Sequence, residues 1–90
     1  MATGKERRIG VVGIVLEDRT KTAAKVNAIL SAYGDNIVGR MGIPYREKDI
    51  SVIALIVDGS TDEIGALTGK LGAIEGVTVK SALTSFSSPV

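Results

Sequence analysis

The residues best suited to chemistry lie in the segment 39–46, which reads Gly-Arg-Met-Gly-Ile-Pro-Tyr-Arg. Arg40 is flanked by two nearby glycines, where the missing side chains let a ligand or a second backbone approach closely. Its guanidinium can bind a carboxylate or a phosphate, or it can form an ion pair with a neighbouring subunit. We therefore predict that Arg40, Met41, Gly42 and Tyr45 lie at a ligand-binding site or at a subunit interface.

A second candidate site is the loop that contains Asp18 and Arg19. This loop leads from a predicted strand into a predicted helix, and the free backbone N–H groups of a helix N-terminus attract anions. The side chain of Asp18 or Thr20 could cap those N–H groups instead. We favour capping, and the residues alone leave anion binding open.

The composition leaves few groups for catalysis. The sequence contains no histidine and no cysteine, so imidazole and thiolate are missing as bases, nucleophiles and transition-metal ligands. No nucleophile stands beside a base in the sequence pattern. We predict that the protein is not an enzyme and uses no metal or other cofactor, although oxygen ligands for Mg²⁺ or Ca²⁺ are present.

Charge and hydropathy limit the partners. The net charge is +1, and it falls to −1 without residues 1–8, which argues against direct binding to nucleic acid. The apolar runs are far shorter than the roughly 20 residues of a membrane helix. The first eight residues lack the apolar core of a signal peptide. We therefore expect a cytoplasmic protein that contacts neither nucleic acid nor a membrane.

Hydrophobic periodicity predicts four strands and two helices. The first helix begins at Thr20, and the second follows a capping box formed by Ser60 and Glu63. We expect a flexible N-terminal segment, one domain and a flexible tail, with these bounds: 1–8, 9–84 and 85–90. The strands are predicted over these ranges: 9–16, 36–45, 50–57 and 77–82.

The element order is therefore βαββαβ, and its two halves repeat each other. Such a duplicated unit is typical of the ferredoxin-like α+β fold, in which two helices cover one face of a four-stranded antiparallel sheet. The first and third strands then occupy the centre of the sheet. The glycines and Pro44 of the second strand fit an edge position.

The two central strands are apolar on both sides, whereas a sheet with one wet face alternates apolar and polar residues. Two helices cover only one face, so we predict that further copies of the chain cover the other. The expected assembly is a homodimer or homotetramer through the open sheet face and a strand edge. If Ile37, Met41 and Ile43 face the helices, alternation places Arg40 on this open face.

Three strings resemble a family of small bacterial proteins that regulate the iron-only hydrogenase system: residues 37–45, 67–71 and 76–81. The resemblance implies an ACT-like domain, similar to the C-terminal domain of the nickel-responsive repressor. It also implies a regulatory, oligomeric protein. ACT domains commonly bind amino acids at subunit interfaces near the first strand-to-helix loop, where Asp18 and Arg19 lie. The repressor binds metal through histidine and cysteine, so the resemblance does not extend to metal sensing.

We thus expect a regulatory module that binds a small ligand or a protein partner and works as a homo-oligomer, linked to iron-only hydrogenase. One alternative is a small ferredoxin-like enzyme such as an acylphosphatase, which holds phosphate with an arginine and an asparagine. Arg19 and Asn27 are present, but the glycine-rich loop of that family is not. The other alternative is a structural factor for hydrogenase assembly.

Overall fold

The computed structural model describes residues 6–88 and contains every element that the periodicity predicts. Two short 3-10 turns precede the second and third strands: Gly34–Asn36 and Arg46–Lys48. The strands are β1 (Arg7–Glu17), β2 (Ile37–Tyr45), β3 (Ile50–Gly59) and β4 (Val77–Ser88), and the helices are α1 (Thr20–Ala32) and α2 (Thr61–Gly72). No helix in the described part of the chain is long and apolar enough to cross a membrane.

The four strands form one antiparallel sheet in the order β2-β3-β1-β4. Crossover connections through α1 and α2 place β1 and β3 side by side in the centre, and β2 and β4 lie at the edges. This arrangement confirms the predicted ferredoxin-like α+β fold with βαββαβ order. It also confirms the edge position of Pro44, which has no N–H to give to a further strand.

The hydrophobic core lies between the helices and one face of the sheet. Alternate residues of the central strands point into it, because successive side chains of a strand alternate between faces. Val12 and Ile14 of β1 and Leu55 of β3 are completely buried. The helices contribute apolar residues at helical spacing, and all of these belong to one cluster with the strand residues: Val26, Leu30, Ile64, Leu67 and Leu71.

The two helices begin differently. At α2 the Ser60 hydroxyl accepts from the Glu63 N–H at 3.1 Å, and the Glu63 carboxylate accepts from the Ser60 N–H at 2.9 Å, which confirms the capping box. At α1 the N-cap residue is Arg19, and no side chain caps the helix. The prediction that Asp18 or Thr20 caps α1 was therefore wrong. Thr20 is already helical, and the Asp18 N–H donates to the Asp49 carbonyl at 2.9 Å.

The sheet is longer than predicted at both chain ends. Residues 1–8 and 85–90 were expected to be flexible, but β1 already begins at Arg7 and β4 continues to Ser88. The two segments pair with each other across the sheet, which supplies the backbone hydrogen bonds that neither would find alone. Arg7 also donates to the Asp58 carbonyl at 2.7 Å. The outermost residues of both segments lie outside the described part of the chain.

Candidate functional site

A β-bulge decides where Arg40 lies. Ile37 pairs with Val57, but Gly39 already pairs with Ile56, so β2 has one residue more than β3 at this point. A bulge of this kind inverts the alternation of side chains beyond it. Arg40 consequently pairs with the buried Leu55 and lies on the helix side of the sheet. The prediction that Arg40 lies on the open face was wrong, because it assumed an unbroken alternation from Ile37.

On the helix side, Arg40 closes a groove between α1 and β2. Its guanidinium donates to the Asn27 Oδ1 of α1 at 3.3 Å. The groove has a volume of about 180 Å³, and its deepest residues belong to the hydrophobic core: Leu16, Val26 and Ile53. Gly42, Pro44 and Ser51 complete the wall formed by the sheet. The groove therefore combines an apolar floor with a polar rim that carries one positive charge.

A shallower hollow lies beside this groove, at the loop that joins β1 to α1. Asp18, Arg19, Ala23 and Asn27 are among its lining residues, and the last two also line the groove. The first turn of α1 contains no acidic side chain. The backbone N–H groups of this turn are thus not neutralised by a side chain of their own helix.

The other face of the sheet is apolar on β1, β2 and β3, and no element within residues 6–88 packs on it. Seven large side chains there are between 36% and 61% exposed: Val11, Val15, Met41, Ile43, Tyr45, Val52 and Ile56. The register places them in adjacent rows across three strands. Gly13 and Ala54 pair at the centre of this surface and form a trough between taller side chains. We call this surface the open face.

The structure thus separates the predicted site residues into three places. Arg40 and Gly42 line the groove, whereas Met41 lies on the open face at the adjoining position of β2. Tyr45 also lies on the open face, where the Lys48 ammonium is 5.7 Å from the centre of its ring. Asp18 and Arg19 lie together in the hollow at the start of α1. Residues adjacent in sequence are divided because a strand presents them to opposite faces.

A polar cluster that the sequence did not indicate joins four elements at the far end of the sheet. The buried Asn36 side chain donates to both the Asp58 carbonyl and the Glu63 carboxylate, each at 3.3 Å. Arg7 forms an ion pair with Asp58 at 3.0 Å and lies 4.0 Å from Glu63. These contacts stabilise the fold, because they connect the start of β1 and the end of β3 with the start of α2.

Glu63 is charged over a wider pH range because of this cluster. The N–H of Ser60, the guanidinium of Arg7 and the amide of Asn36 together hold the pKa of the Glu63 carboxyl below its ordinary value, and partial burial opposes them. Only the capping-box part of this arrangement can be read from sequence spacing. Among residues 6–88, no three acidic side chains come together in a group that could hold a metal ion.

Comparison with solved structures defines the class of protein. The ACT domain of a GTP pyrophosphokinase from Chlorobium tepidum matches with a TM-score of 0.73 at 23% identity, over 84% of this chain and 99% of that one. An ACT domain protein from Streptococcus pneumoniae matches with a TM-score of 0.56 at 17% identity, over 84% of this chain and 89% of that one. The chain therefore has the ACT-like form of the ferredoxin-like fold.

A more similar structure and a family model identify the family. The uncharacterized protein TM1266 from Thermotoga maritima is 41% identical, with a TM-score of 0.87 over 89% of this chain and all of that one. The model of the TM1266-like family, described as "Iron-only hydrogenase system regulator, putative", matches residues 8–81. This chain belongs to the TM1266-like family, which confirms the predicted resemblance to a family described as a regulator of the iron-only hydrogenase system. The curated proteins gave no match.

Proposed function

We propose that this protein is a regulatory module of the iron-only hydrogenase system that works as a homo-oligomer and responds to a small effector. The main support for a homo-oligomer is the open face, because it is an apolar surface that the two helices do not cover. The family description supplies the regulated system. The groove at Arg40 supplies a place for the effector.

The size of the open face supports pairing with a second copy of the chain. Its seven large side chains, each 36–61% exposed, form one contiguous apolar patch across β1, β2 and β3. Monomeric proteins rarely expose an apolar patch larger than a few hundred Å². Covering this patch with the same patch of a second subunit removes apolar surface of both subunits from water, and a twofold interface brings identical surfaces together.

Strand β2 connects the open face with the groove. Arg40 and Gly42 line the groove. Met41 and Ile43, which alternate with them along the strand, lie on the open face. A change in the position of this edge strand therefore alters both surfaces at once. Because both surfaces share this strand, we expect effector binding in the groove to change the affinity of assembly. Thermodynamic linkage then requires assembly to change the affinity for the effector by the same factor.

Sedimentation velocity at micromolar concentration tests the assembly. We expect a dimer or tetramer for the native sequence and a monomer for Ile56→Lys, because Ile56 is 51% exposed within the open face and a buried lysine would lack a partner. Ala66→Lys, on the exposed surface of α2, is the matched control and should assemble normally. A native protein that sediments as a monomer would contradict the proposal.

A thermal-shift screen tests the response to an effector. Amino acids, organic acids, nucleotides and divalent cations would be added singly, since a ligand at about 100 times its dissociation constant adds about 2.7 kcal/mol to the free energy of unfolding. We expect at least one class to raise the melting temperature and to change the sedimentation coefficient. A ligand that stabilises the chain without any effect on assembly would contradict coupling between the two.

A further inference from the structure

The geometry assigns the groove between α1 and β2 to a short aliphatic monocarboxylate, with its carboxylate on Arg40 and its chain on the core residues below. This inference rests on the proposed function, because it names the chemical class of the effector. The walls of the groove come from a single subunit: Ala23 and Asn27 from α1, Arg40 and Gly42 from β2, and Ser51 from β3. The floor and the rim that would contact the ligand therefore both belong to one subunit.

The floor of the groove favours an apolar ligand body. Leu16, Val26 and Ile53 are at most 7% exposed, and they line its base. Ala23 extends this surface along α1. A space of about 180 Å³ lies open above these residues in the described part of the chain. An aliphatic chain in this position removes apolar surface from water without displacing any protein contact.

The rim supplies donors for an anion. Arg40 donates to the Asn27 Oδ1, which leaves other guanidinium N–H groups and the Asn27 amide N–H groups available. The Ser51 hydroxyl is half-buried in the groove wall. Within the described part of the chain, no carboxylate lies within ion-pair distance of Arg40. A planar carboxylate matches the forked geometry of the guanidinium.

The charges around the groove distinguish between kinds of acid. No acidic side chain is among the lining residues of the groove, and Asp18 lines the neighbouring hollow instead. The α-ammonium group of an amino acid would therefore gain no ion pair with a residue of the groove itself. Inorganic phosphate would meet one arginine and leave the apolar floor uncovered. The volume of about 180 Å³ suits a chain of about four to six carbons, because an apolar cavity of roughly 150 Å³ can hold a benzene molecule. A carboxylate without an amino group fits these features best.

A titration followed by ¹H–¹⁵N NMR tests this assignment. The probes are 4-methylpentanoate, leucine, inorganic phosphate and isoamyl alcohol. Leucine differs from 4-methylpentanoate only in its amino group, and the alcohol has a similar aliphatic body without the charge. We expect saturable shifts of the Arg40, Gly42 and Ser51 amide signals with 4-methylpentanoate, at a dissociation constant on the order of 1 mM or below. The other three probes should bind at least tenfold more weakly.

Two variants and one control locate the binding site. Arg40→Gln should weaken 4-methylpentanoate binding about tenfold or more, because it replaces the charged fork with a neutral amide. Arg46→Gln removes an equal charge from the exposed turn that follows β2 and should leave binding unchanged. Gly42→Val should fill the groove and abolish binding. A Cβ at Gly42 would contact only Ile53, at an ordinary 3.7 Å, so this variant is expected to fold.

Failure of this assignment can be told apart from failure of the proposed function. Because one subunit forms the whole groove, a monomeric Ile56→Lys variant should still bind 4-methylpentanoate. Shifts that do not saturate, or that survive both Arg40→Gln and Gly42→Val, would overturn the site. Leucine or phosphate binding more tightly than 4-methylpentanoate would overturn the ligand class. Sedimentation measures the oligomeric state in the same samples, so that a loss of binding can be distinguished from a loss of assembly.

Discussion

Replacement of Gly13 with valine should leave the subunit folded and disrupt the assembly. Gly13 lies in β1 at the centre of the open face, and a Cβ built on it meets no atom of its own chain within 4 Å. The Cβ of the new side chain is therefore free of clashes within one subunit. The substitution also removes the conformational entropy cost of a strand glycine, about 0.5–1 kcal/mol. We expect the midpoint of urea unfolding to stay constant or to rise.

The proposed assembly should respond in the opposite way, since Gly13 and its partner Ala54 form the trough in the open face. Side chains of a second subunit that pack into this trough would meet the new valine. Overpacking costs about 1–3 kcal/mol per site, and a twofold interface contains the site twice. The total of about 2–6 kcal/mol weakens dimerisation from about 30-fold to about 10⁴-fold.

Sedimentation over a concentration series gives the dissociation constants of the native protein and of the variants Gly13→Ala and Gly13→Val. The alanine variant adds one methyl group and should show a smaller loss than the valine variant. Urea unfolding of each variant shows whether the subunit itself is intact. A Gly13→Val protein that is folded and assembles as tightly as the native protein would refute the trough as a contact surface.

Three further predictions concern the subunit. Gly10→Ala should destabilise the fold by about 1–3 kcal/mol, measured by urea unfolding, because the new Cβ would lie 2.6 Å from the carbonyl oxygen of Ala82; a neutral effect would contradict the close contact of β1 with β4. Ser60→Ala should cost about 0.5–2 kcal/mol through loss of the cap on α2, and equal unfolding midpoints would argue against it. The lowered pKa of Glu63 means that the unfolded chain binds its proton more readily, so this contribution to stability is full above the unfolded pKa and is lost as the pH falls through the folded one. Glu63→Gln should therefore be less stable than the native protein at pH 7 and should approach it in acid, and a constant difference between the two across this pH range would be the contrary result.

The element types and their order follow from local sequence. The apolar runs of β1 and β3, the helical spacing in α1 and α2, and the Ser60–Glu63 capping box each depend on neighbouring residues. Periodicity therefore predicts them well. The ends of the sheet were predicted too short, since Arg7 and Ser88 belong to strands only because each meets the other. Hydrogen bonding between distant segments has no local signal.

The positions of the candidate site residues depend on contacts between distant parts of the chain. The sequence indicated Arg40 as the chemically notable residue, but Gly39 alone did not decide between a bulge at this point of β2 and a regular edge strand. One extra residue in β2 moved Arg40 from the open face to the groove beside Asn27. The cluster around Asn36 also joins residues from separate elements. Both arrangements depend on strand register, which is set by pairing partners far away in the chain.

The sequence by itself determined the fold class, the edge position of β2 and the presence of two apolar faces on one sheet. Each of these follows from residue types and their spacing along a strand or helix. Only the tertiary structure decided which side of the sheet each residue of β2 occupies, and hence that Arg40 and Met41 serve different surfaces. The physical reason is that side-chain direction in a strand depends on register, and one bulge reverses it for every residue that follows.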